Sequence, residues 1–174
     1  MAEGAFAANR TGIVGAVSLV IHGWAILGGI VLVAVVMMNV LSVIGGVVWK
    51  PFPGDFELTE IGVAVAAFAF LPYCQLTDSN VTADIFTAGA STRVVAAFKL
   101  IASIVAFLFG LLLFWRMFAG MLSQREYGYK TAIVSFQIWW AFIPILVSLA
   151  LLAVASLITV TDTSKVVASG KSND

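Results

Sequence analysis

Charge is scarce in this sequence. Only 10% of its 174 residues are Asp, Glu, Lys or Arg, where a soluble domain carries about 25%, and 61% are hydrophobic. Nine basic and nine acidic residues cancel, so no net field gathers polyanions, and a nucleic-acid partner is not expected. Cysteine is almost missing. Cys74 alone cannot close an internal disulfide, and with His22 as the one histidine, no Cys or His pair stands at metal-ligand spacing. A Ser-His-Asp set, a pair of acids deep in an apolar run and a glycine-rich phosphate loop are all lacking, so neither catalysis nor a cofactor has visible machinery. A haem held by two histidines needs a second imidazole, which leaves His22 as a packing residue.

What the chain has instead is long uncharged runs. Residues 11–49 contain no Asp, Glu, Lys or Arg and as one helix would reach about 58 Å. A break at Gly28-Gly29 would expose unsatisfied backbone to lipid, so one long tilted helix over about 17–44 is expected. This run far exceeds the core of a cleavable signal peptide and is read as a retained span, with later cleavage as the alternative. A second run, 61–76, crosses a bilayer only if the turn carrying Glu57 and Glu60 belongs to the same helix. Residues 77–92 suggest a short interfacial helix, with Val81, Ile85 and Ala88 on one side, or else a polar loop. A third span is expected over about 94–122. After a polar turn at 123–129, the uncharged stretch 131–161, with its Trp139-Trp140 pair, supplies the fourth.

The fold class expected is therefore an all-α integral membrane protein: four transmembrane helices in a single domain over 1–162, a short interfacial helix between the second and third, and a disordered tail at 163–174. Both termini lie on one side. Arg10, Arg93, Lys99, Lys165 and Lys171 share that side, against Lys50, Arg116, Arg125 and Lys130 on the other, a slight excess that favours cytoplasmic termini.

The stretch "PGDFELTEIG" at 53–62 places Asp55, Glu57 and Glu60 at the mouth of the second span. Carboxylates in a first turn meet the positive end of the helix dipole, and antiparallel packing of spans two and three would bring Arg116 into the same leaflet. That reading is wholly structural. The other assigns the carboxylates, Glu60 above all, to a protein partner, since a charge in a membrane helix faces protein rather than lipid. Pro72 and Pro144 free the carbonyls of Phe68 and Trp140 and are read as simple kinks. Ala25/Gly29, Gly62/Ala66 and Ala106/Gly110 are small pairs at four-residue spacing that permit close helix contact.

The order of these features resembles the small membrane subunit, DctQ-like, of tripartite ATP-independent periplasmic (TRAP) transporters. The stretches that carry the resemblance are "MNVL" near 37–41, "FELTEIG" at 56–62, "FAFLPYCQLTDSNVTADIF" at 68–86 and "QIWWAFIPIL" at 137–146. Family members often have a basic or histidine-containing loop before the aspartate corresponding to Asp84; this chain has Thr77-Asp78-Ser79-Asn80 there. The resemblance implies a non-catalytic scaffold in the bacterial inner membrane. Its partners would be a large multispan membrane subunit holding the sodium and substrate sites, a periplasmic substrate-binding protein delivering an organic acid or similar solute, and membrane lipids. Glu57, Glu60, Asn80 and Asp84 match the family motif and are the candidates for assembly or interfacial anchoring, joined by Arg116 through the leaflet argument. The competing expectation is a stand-alone four-span secondary transporter, for which Glu60 would be the proton-coupling acid.

Overall fold

A computed structural model describes residues 13–77 and 92–169. It consists of α1 (Ile13–Val48), α2 (Asp55–Leu76), α3 (Thr92–Glu126) and α4 (Trp139–Ser169). All four are long and apolar enough to cross a membrane, and no strand occurs among the described residues. Helix satisfies this demand because lipid offers no hydrogen-bond partner to a backbone amide. The interfacial helix expected at 77–92 lies outside the described residues apart from its ends.

The helices stand in single file. α1 packs on α2, α2 on α4, and α4 on α3, while α1 barely touches α4. Spans two and three are therefore not packed neighbours as the sequence suggested, because α4 stands between them. Gly110 of α3 lies against Leu152 of α4 and Gly120 against Phe142, so that pair runs antiparallel. α2 and α4 run parallel: Glu57 reaches residue 133 just ahead of α4, and the Thr159 hydroxyl near the far end of α4 lies 3.5 Å from the Gln75 carbonyl. His22 and Tyr73, with ring centroids 5.6 Å apart, set the start of α1 beside the end of α2. The first and last helical turns thus share one face of the protein.

Small residues make the seams. With no hydrophobic drive between helices in lipid, close van der Waals approach and interhelical hydrogen bonds must hold them. A Cβ at Gly28 would meet the Ala69 Cβ at 2.7 Å, and one at Gly62 would collide with the Val35 side chain. Ala66 and Ala69 are buried between these points. Across the α1–α4 edge the Trp24 indole donates to the Ser148 hydroxyl at 2.9 Å, and that hydroxyl donates to the Pro144 carbonyl at 2.8 Å. Pro72 and Pro144 lie within continuous helices.

Several helix boundaries differ from the sequence reading. α3 continues to Glu126, absorbing half of the polar turn, and the fourth span begins at Trp139 rather than 131. Residues 130–137 instead form a tight hairpin, uncharged beyond Lys130, closed by the Thr131–Phe136 backbone bond. α4 continues to Ser169, past the Asp162 boundary that composition suggests.

Candidate functional site

The acidic mouth of α2 is where the chain's polar chemistry converges. Gly54 begins it with φ 78, a left-handed conformation that favours glycine. A Cβ there would also strike the Val134 side chain. Glu57, one turn on, reaches out of the helix: its carboxylate accepts the amides of Ile133 at 2.9 Å and Val134 at 3.2 Å. Those amides sit at the tip of the hairpin, where Thr131 and Phe136 pair by a backbone bond of 2.9 Å, the Thr131 hydroxyl accepts the Phe136 amide, and Ser135 takes φ 57. Glu57 thus ties the start of α2 to the α3–α4 connection.

A second set of contacts ties α2 to α1. The Ser42 hydroxyl donates to the Asp55 carboxylate and accepts the Phe52 amide at 3.1 Å. Asn39 donates both amide hydrogens, to the Val35 carbonyl at 2.9 Å and to the Thr59 hydroxyl at 2.7 Å, while Thr59 donates to the Asp55 carbonyl at 2.6 Å. Between them the chain turns over residues 49–54 and passes back over Gly45 in the last turns of α1, where any side chain would collide with the Lys50 carbonyl. The sequence shows Asp55 only as one of three acids; its partner Ser42 is buried thirteen residues earlier, in the long first helix. The signal that could have found them is polarity at Asn39 and Ser42, three residues apart on one face of α1.

Glu60 differs from both neighbours. It is exposed, on the outward stripe with Phe56, Val63 and Leu71, and makes no ion pair or hydrogen bond among the described residues. Arg116, exposed near the middle of α3, likewise has no such partner there. The structure does not bring Arg116 to Glu60, since α4 separates their helices. The base that does engage an aromatic at this end is Arg125, whose guanidinium carbon lies 5.4 Å from the Trp139 ring centroid. Asn80 and Asp84 lie outside the described residues. No group of His, Cys, Asp and Glu suited to a metal occurs among the described residues.

The outward side of the α1–α2 seam is grooved. One depression of about 570 Å³ is bordered by His22, Gly29, Val33 and Phe70, and a second of about 490 Å³ by Val36, Asn39, Ile44 and Val63. Apart from Asn39, Thr59, His22 and Tyr73, their walls are apolar. Such a surface can bind lipid or another membrane helix; it offers no array of titrating groups for chemistry.

The sequence matches the family described as "Tripartite ATP-independent periplasmic transporters, DctQ component" over residues 27–165. Neither a curated protein nor a solved structure matches it.

Proposed function

The chain belongs to the DctQ components of tripartite ATP-independent periplasmic transporters, and from that membership we propose a non-catalytic role: it scaffolds the large membrane subunit for sodium-driven uptake of an organic acid or similar solute. In this reading a periplasmic binding protein delivers the solute, the large subunit holds the sodium and substrate sites, and the present chain supplies fixed protein surface in the inner membrane. Both termini are cytoplasmic, so the acidic mouth of α2 and the hairpin face the periplasm.

One observation carries the reading. α1 contacts the rest of the chain along a single side, leaving residues such as Leu19, Val33, Leu41 and Val43 more than half exposed. A 36-residue helix held mainly by α2, with one hydrogen bond to α4, is a surface open to protein as well as lipid, and small residues within it allow close approach. Glu57 anchors the periplasmic hairpin, Glu60 addresses the partner, and Asn80, Asp84 and Arg116 are proposed as further assembly or anchoring positions.

The test is capture and flux. A tagged chain extracted from native membranes in mild detergent should bring down a multispan protein in near-stoichiometric amount. The same chain purified alone and reconstituted should move no solute. Independent flux would defeat the scaffold reading in favour of a stand-alone transporter. A cytoplasm-active reporter fused after Asp174 should be active; a dark reporter would reverse the orientation.

A further inference from the structure

We propose that the outward α1–α2 groove seats one membrane-spanning helix of the large subunit, with a basic or hydrogen-donating side chain of that helix meeting Glu60 and Asn39. This rests on the small-subunit reading and deepens it by naming the surface and the chemistry of its occupant.

The groove's height argues for a helix. Its two depressions follow one another along α1 from His22 to Ile44, twenty-two residues by difference, or about 33 Å. The hydrocarbon core of a bilayer is about 30 Å thick. An acyl chain fills one leaflet of such a groove, whereas a spanning helix fills both.

Its floor argues the same way. Ala25 is buried and Gly29 follows one turn on, so a neighbouring backbone can come close without displacing side chains. A Cβ at Gly29 would meet only the edge of the Phe70 ring, at 4.0 Å. The space above Gly29 is therefore not needed by this chain's own packing.

The polar groups then choose protein over lipid tails. Asn39 has spent both its donors on Val35 and Thr59, which leaves its side-chain oxygen as an acceptor with no partner among the described residues. Glu60 does not line the groove itself but stands one turn before Val63, which does, and is exposed and unpaired among the described residues. A carboxylate and an amide oxygen about two turns inside the mouth of a span call for a donor or a cation, which an acyl chain lacks and a Lys, Arg or Trp on a facing helix supplies.

The experiment is Gly29→Leu in the tagged chain expressed with its native membrane partners. The added side chain fits this fold and blocks the groove, so recovery of the large subunit should fall about tenfold, while the variant elutes from size exclusion in detergent as the parent does. Val33→Cys, in a chain carrying Cys74→Ser, should crosslink to the large subunit through a photoactivatable maleimide. Undiminished recovery with Gly29→Leu, or loss of bound phospholipid alone with the large subunit retained, would overturn the groove assignment while leaving the scaffold reading intact. Failure of the parent chain itself to capture a large subunit would defeat the reading and the groove together.

Discussion

The Glu57 carboxylate accepts the Ile133 amide at 2.9 Å across 76 positions of sequence, clamping the start of α2 to the tip of the α3–α4 hairpin. A loop backbone held by one side chain should loosen when that side chain is cut back. Glu57→Ala is expected to speed hydrogen exchange at Ile133 and Val134 by about tenfold or more and to expose Lys130 to trypsin, with the four helices retained by circular dichroism. Unchanged protection at both amides would show that the hairpin holds its own shape.

Gly54 joins a left-handed backbone to a contact with Val134. Gly54→Ala should therefore destabilise the protein on two grounds, about 1–2 kcal/mol from the backbone and a further amount from crowding. Thermal unfolding in detergent separates them: Val134→Ala in the same chain should recover the crowding part and leave the backbone part.

Ser42 serves Asp55 and the Phe52 amide at once. Removing the hydroxyl leaves both without it, so Ser42→Ala should cost about 1–3 kcal/mol, read from denaturant titration of the purified protein. Ser42→Thr, which keeps the hydroxyl, should cost distinctly less.

Trp24 and Ser148 provide a hydrogen bond between two helices that otherwise barely meet. Interhelical hydrogen bonds in membranes contribute about 0.6 kcal/mol on average. Trp24→Phe should lower stability by that order and no more, and a loss of several kcal/mol would mean that indole packing rather than the bond holds α1 in place.

Two glycines one turn and a residue apart on α1 give a controlled pair. Gly28 lies under Ala69, whereas a Cβ at Gly23 would have nothing within 4 Å. Gly28→Leu should force α1 from α2 at a cost of about 1–3 kcal/mol, and Gly23→Leu should be tolerated. Equal melting temperatures for the two variants would contradict the seam.

The four spans were legible because absence of charge over a bilayer's thickness leaves a helix few alternatives. Their neighbours were not. Uncharged runs carry no label for which helix touches which, and the Glu60–Arg116 leaflet argument assumed that consecutive helices pack together, where α4 in fact intervenes. The hairpin was hidden for a related reason: 131–138 carries no charge and runs directly into the span it precedes, so only Thr131, Ser135 and Gln137 mark it in the sequence. Glu57 itself was found by its place in an acidic first turn, but its partners are backbone amides, which no residue identity announces. Asn39 and Ser42 are polar residues in a greasy helix, yet their roles depend on Asp55 and Thr59 arriving from across the turn at 49–54.

Helices joined mainly one to the next behave as a raft. Such a raft has little inside, so beyond the Trp24–Ser148 bond across the α1–α4 edge, each of the α1–α2, α2–α4 and α3–α4 joins must hold by its own contacts. Much of every plank stays open to the bilayer. A raft of this kind adds perimeter to whatever it is moored against at little cost in mass, and if one plank is pried loose, lipid can enter from either side.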